Sequence, residues 1–89
     1  MTLNDYPYEM DIRIIFDNAD EPTAIYKIIR VEKHKFDRSK ASINLKNNLL
    51  SINIIAKDSK ALKATFNTYL KLVSVLHKIW TLKIKEDSK

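Results

Sequence analysis

From Tyr8 to Phe16 every second residue is apolar (Tyr8, Met10, Ile12, Ile14, Phe16), set against Glu9, Asp11, Arg13 and Asp17. A period of two predicts a half-buried strand. The run Asp17-Asn18-Ala19-Asp20-Glu21-Pro22 supplies capping residues, acids for a first turn and a proline where helix N–H groups lack partners anyway. A helix is therefore expected to begin near Asn18 to Asp20. Ala24, Ile25, Ile28 and Ile29 give it one apolar face, and it should fray after Val31. Residues 33–40 show no periodicity and read as a loop. Two further alternating runs follow: Ala41, Ile43, Leu45, and then Leu50, Ile52, Ile54, Ala56. Asn47-Asn48 lies between them, and asparagine tolerates the left-handed backbone of a tight hairpin turn. Asp58 then caps a second helix, from about Ser59 to about Leu82, spanning roughly 35 Å. The expected architecture is α+β, one domain over residues 1–89, in the order β-α-β-β-α. It is a three-stranded antiparallel sheet with two helices on one face, a flexible leader at 1–7 and a frayed tail at 83–89.

The second helix carries more apolar surface than such a domain needs. At ~100° per residue, Lys60, Lys63, Asn67, Lys71, Ser74 and Lys78 form one polar stripe. Leu62, Phe66, Tyr69, Val73, Leu76 and Trp80 form a central apolar ridge, with Leu72, Val75 and Ile79 on one flank and Leu70 on the other. The apolar arc is roughly 220° wide, whereas packing on one sheet needs little more than ~100°. The C-terminal half of this helix is therefore expected to meet another protein, through Leu72, Val75, Leu76, Ile79 and Trp80, with Leu70 and Asn67 beside them. Asn67 is a weak helix former in mid-helix, and bonding across an interface is one explanation for it.

Composition removes whole classes of chemistry. The chain has no cysteine, hence no disulfide, thiolate nucleophile or thiolate zinc site, in keeping with a reducing compartment. It also has no glycine. Phosphate-cradling loops, the dinucleotide fingerprint and the KH clamp loop all require it, because their backbone takes positive φ or comes close to a phosphate. The glycine-containing substrate loop of acylphosphatase is excluded in the same way. No apolar run approaches the ~18 residues of a membrane span, and the N-terminus lacks the basic start and apolar stretch of a signal peptide. The reading is a cytoplasmic protein. At 89 residues only about 60% of the unfolded surface disappears on folding, so stability should lean on a partner.

Candidate catalytic groups do not converge. His34 lies in the basic loop and His77 on the second helix, with no cysteine to activate and no second histidine at helical ligand spacing. His77 reads as a packing or interface-edge residue. Asp17, Asp20 and Glu21 cluster, but helix capping accounts for them, as it does for Asp58. No catalytic, cofactor-binding or metal-binding residue is assigned, and the chain is expected not to be an enzyme.

The segment Ala56 to Leu70 and Lys71, A-K-D-S-K-A-L-K-A-T-F-N-T-Y-L-K, resembles the helix-two motif of the small Pcc-type subunit of the KEOPS complex, approximately A-x-D-x-x-A-L-R-A-x-x-N-S-Y-L-R. Arg38-Ser39 stands in the place of that family's Arg-Ser before its second strand, and element order and length agree. Lys63 and Lys71 replace arginine and Thr68 replaces serine. Lysine keeps the charge but loses the bidentate fork. The resemblance implies a non-enzymatic subunit of a complex that makes threonylcarbamoyl-adenosine next to the anticodon of certain tRNAs. It implies a dimer, either of two identical chains or with a paralogue, whose helices dock on the threonylcarbamoyl-transferase subunit. Threonylcarbamoyl-adenylate, ATP and metal would belong to other subunits. Within the motif, Leu62, Phe66 and Tyr69 are expected in the core.

Charge bears on a rival reading. Residues 1–24 hold six acids and one base, and residues 25–89 five acids and fifteen bases, so −5 and +10 sum to the net +5. Arg30, Lys33, His34, Lys35, Phe36, Arg38 and Lys40 form a basic stretch with one aromatic residue. A free-standing RNA-binding module would use such a stretch, and within a larger complex it would give auxiliary tRNA contacts. Lys33, Lys35, Arg38 and Lys40 are the candidate RNA contacts.

Overall fold

A computed structural model describes residues 5–31 and 37–87. The chain runs β1 (Tyr8–Ile15), α1 (Asp20–Val31), β2 (Ser39–Lys46), β3 (Leu49–Ala56) and α2 (Ser59–Asp87). The strands form one antiparallel sheet in the order β1-β3-β2, so the last strand lies between the first two. Register is set by rows of like residues across the sheet: Met10, Ile54 and Ala41; Ile12, Ile52 and Ile43; Ile14, Leu50 and Leu45. A slip of one residue would turn each row to the opposite face, so the alternation itself fixes the pairing. Both helices cover this apolar face. The central strand gains most: Leu50, Ile52, Ile54 and Ala56 are all at or below 1% exposed. The other face is polar, and on it Asn53 Nδ2 donates to both Glu9 Oε2 at 2.7 Å and Asp11 Oδ1 at 2.6 Å.

The turns form for local reasons. Asn47 takes φ 57°, the left-handed conformation the hairpin needs. Asn48 does a different job: its carbonyl accepts the Phe16 N–H at 2.9 Å and its side-chain amide donates to the Phe16 carbonyl at 2.7 Å, tying the hairpin to the end of β1. Phe16, just past the strand, is buried. At the start of α1, Asn18 Oδ1 accepts the Glu21 N–H at 2.8 Å, and Pro22 is buried with no N–H to leave unpaired. Ile25 and Ile29, one turn apart, are each 1% exposed. Asp58 caps α2, its Oδ1 accepting the Ala61 N–H at 2.8 Å.

Three boundaries differ from the sequence expectation. β2 starts at Ser39 rather than Ala41, because Lys57 N–H donates to the Arg38 carbonyl at 2.9 Å and the Ser39 hydroxyl bonds the Thr65 hydroxyl of α2 at 2.5 Å. α2 continues to Asp87 rather than stopping near Leu82; nothing in Lys83-Ile84-Lys85-Glu86 is a helix breaker. Tyr6 is not a free leader residue, since the Lys40 and Lys57 ammonium groups lie 5.0 and 5.7 Å from its ring centre. Residues 1–4 of the expected leader, residues 33–36 of the expected loop with Glu32 before it, and Ser88 and Lys89 of the expected tail lie outside the described residues.

Candidate functional site

α2 faces the sheet with Thr65, Tyr69 and Val73, four residues apart and all buried, and with Leu62, Phe66, Leu72 and Leu76 packed beside them. Burial also pushes the Tyr69 phenol above its ordinary pKa. Val73 is the last buried residue of the helix among those described, yet the helix runs on for fourteen residues to Asp87. That extension is not polar. Val75 is 55%, Ile79 56% and Leu82 57% exposed, on one stripe that begins at the half-buried Leu72. Shallow hollows run along it, one of about 340 Å³ beside Leu72 and Val75 and one of about 190 Å³ between Val75, Ile79 and Leu82. A contiguous apolar stripe on a projecting helix is the surface character of a protein-binding site.

The residues expected at an interface separate into three groups. Val75 and Ile79 are exposed on the stripe, with Leu72 at its inner edge. Leu76 and Trp80 are half-buried on the other side of the helix, Leu76 against the chain's own core. The Trp80 Nε1–H is shut off from water with no hydrogen-bond partner among the described residues. Leu70, 46% exposed, belongs to a separate groove beside β1, and Asn67 sits exposed on the polar stripe. The polar stripe itself, from Lys60 to Lys78, is solvent-facing throughout.

Of the four candidate RNA contacts, Lys33 and Lys35 lie outside the described residues, as does His34. Arg38 has a structural partner: its Nε and Nη2 reach Asp58 Oδ2 at 2.7 and 2.6 Å, clamping the carboxylate that caps α2. Lys40 is exposed over Tyr6, and Lys57 shares that ring from the turn before α2. Neither Tyr6 nor Lys57 stands out in the sequence, because their proximity to Lys40 arises only when β1 and β2 both pair with β3.

Capping does not account for Glu21, contrary to the sequence reading. Its side chain is 4% exposed, and its Oε2 accepts a hydrogen bond from His77 Nδ1–H of α2. His77 is thus an ion-pair or hydrogen-bond partner rather than a packing residue. A signal for Glu21 was present: it precedes Ile25 and Ile29 by one and two turns, so it falls on the buried stripe of α1. Among the described residues no group of three or more histidine, aspartate or glutamate side chains is placed to hold a metal, and no helix is long and apolar enough to cross a membrane.

The model of the family described as "Transcription factor Pcc1" matches residues 9–80. A search of the curated proteins finds no match. Among solved structures, one chain of "Crystal structure of binary complex Gon7-Pcc1" superposes with a TM-score of 0.78 over 86% of this chain and 96% of that one, at 10% identity. At that identity the likeness is one of fold.

Proposed function

The chain belongs to the Pcc1 family, and from that premise we propose that it is a non-catalytic scaffold subunit of the KEOPS complex, which makes threonylcarbamoyl-adenosine beside the anticodon of tRNA. In this reading it dimerises, with itself or a paralogue, and binds the threonylcarbamoyl-transferase subunit through its helices. The observation that carries the reading is the part of α2 beyond Val73, which displays Val75, Ile79 and Leu82 to solvent. An apolar stripe of that kind on so small a chain is costly in water and is stabilised when a partner covers it. The similar fold found in a binary complex with a second protein supports work in company rather than alone.

The test is molar mass by light scattering on a sizing column, for this chain alone and mixed with the transferase subunit. A dimer that joins two transferase chains is the expected result. A monomer that ignores the transferase would overturn the assembly role. RNA binding by the basic segment is the second reading, favoured by the exposed Lys40 and Lys57 around Tyr6. Replacing both lysines by alanine then weakens tRNA binding and flattens its salt dependence; unchanged binding removes that reading and leaves the scaffold role standing.

A further inference from the structure

The charges of α1 suit a helix: Asp20 and Glu21 stand in its first turn and Arg30 in its last, each set against the helix dipole. Those of α2 do not. Its first turn has no acid; Lys60 stands there instead, where the dipole repels it, and Lys63 three residues on adds like-charge repulsion. From Ser59 to Lys85 the helix has no carboxylate at all. Lys60, Lys71 and Lys78 fall within about 20° of one line along the helix, and that line is roughly 27 Å long, with Lys63 to one side of it. Asn67 and Ser74 fill the row between them, and all six side chains are exposed. The lysines have no partner of their own, since the ion pairs among the described residues join Arg38 to Asp58 and His77 to Glu21.

We propose that this row of α2 lies along the phosphate backbone of a nucleic-acid duplex. A straight, rigid line of point charges is complementary to a straight, rigid polyanion, and the amide of Asn67 and the hydroxyl of Ser74 add donors of the kind that bond phosphate oxygens. The row has no aromatic side chain to stack on a base, so it grips the backbone without reading sequence. An acidic protein fits less well, because protein interfaces are depleted in lysine whereas nucleic-acid interfaces are polar and strongly positive. A lipid surface fits less well too. A helix lying on a membrane inserts an apolar face along its length, but here the row begins about three turns before the exposed apolar stripe, and alongside Lys60 and Lys63 the apolar side of α2 is spent on the core. The inference needs neither the scaffold role nor the contacts of Lys40 and Lys57, since it rests on another face and is tested on the chain alone.

The probe is a fluorescently labelled RNA duplex of about 20 base pairs and mixed sequence, a little under two dsRBD footprints, titrated with the full chain and followed by anisotropy over a range of salt. One variant combines Lys60→Gln, Lys71→Gln and Lys78→Gln. Its control combines Arg13→Gln, Lys27→Gln and Lys46→Gln, exposed positions off α2. Each set removes three positive charges, so both lower the net charge from +5 by the same amount. The α2 variant should flatten the slope of log affinity against log salt by about 3 and weaken binding about tenfold or more at low salt, while the control keeps most of both. The α2 variant should also melt no lower than the parent, since it removes no contact and relieves the dipole at Lys60. Lys40→Ala with Lys57→Ala should leave most of the slope in place, which separates this row from the other RNA reading. Equal loss in the α2 variant and the control assigns binding to net charge and overturns the proposal. Tighter binding to either single strand, or competition by polyglutamate as strong as by unlabelled duplex, overturns it as well.

Discussion

Arg38 and Ser39 hold the start of α2 from two directions. The Arg38 guanidinium clamps Asp58 while the Ser39 hydroxyl bonds Thr65 inside the core. The two contacts differ in kind. Ser39 and Thr65 are 4% and 1% exposed, so removing one hydroxyl strands the other away from water. Ser39→Ala is expected to destabilise by about 1–3 kcal/mol, whereas Ser39→Ala with Thr65→Val should come close to neutral. Denaturant unfolding of the two single variants and the double variant measures this, and a double variant as unstable as the sum of the singles would mean the pair is not what holds them. Asp58 is governed by pH. The Ala61 N–H and then the Arg38 side chain hold its carboxyl below the ordinary value of 3.8. A depressed folded pKa means the carboxylate's stabilisation is fully present above 3.8 and is lost as pH falls through the lower folded value. Asp58→Asn keeps the cap but not the charge, so its unfolding curve should depend less on pH below 3.8 than that of the parent.

Each element meets a different demand, and substitutions sort accordingly. In the hairpin, Asn47 holds φ 57°, a conformation that costs a β-branched residue about 1–2 kcal/mol. Asn47→Val should lower stability by that amount and Asn47→Gly should not; equal loss in both would place the role of Asn47 in its side chain. In β3, Ile54 is fully buried, and Ile54→Ala should cost about 2–5 kcal/mol in the same unfolding measurement. The outer part of α2 behaves in the opposite way. Val75 and Ile79 are more than half exposed, so Val75→Glu with Ile79→Glu should leave the isolated chain within about 0.5 kcal/mol of the parent. The same pair of changes should abolish assembly on the sizing column. If association survives them, the stripe is not the interface.

As a whole the molecule is long for its mass. Its extents are 57 × 22 × 19 Å and its radius of gyration 14.9 Å, against about 12 Å for a compact domain of this length. Its accessible surface is 6838 Å², where a monomer of this mass would expose about 5,400 Å². The difference is on the scale of one protein–protein interface. A chain that completes its folding by association has a stability that depends on concentration. Its Tm is therefore expected to rise with protein concentration, and the rise should vanish in the Val75→Glu, Ile79→Glu variant. A Tm independent of concentration in the parent would say that the lone chain is already the folded unit.

Local pattern by itself determined the elements. Period two in Tyr8–Phe16, Ala41–Leu45 and Leu50–Ala56 marks three strands, Asn47-Asn48 the hairpin, and Asp58 the cap of α2, because each of these is decided by residues within a few positions of one another. The excess apolar arc of α2 was legible too, since a helix displays its faces in its spacing. The motif over residues 56–71 pointed to the family that the comparison then matched over 9–80. Only the tertiary structure decided which parts of that arc stay exposed, turning Leu76 toward the core and leaving Val75 and Ile79 out. It also placed β3 between β1 and β2, and with it Arg38 on Asp58 and Lys57 beside Lys40. Glu21 and His77, 56 residues apart, meet because α1 and α2 pack on the same face of that sheet. No local rule spans such a distance; which distant side chains become neighbours is set by the global arrangement that buries the most apolar surface.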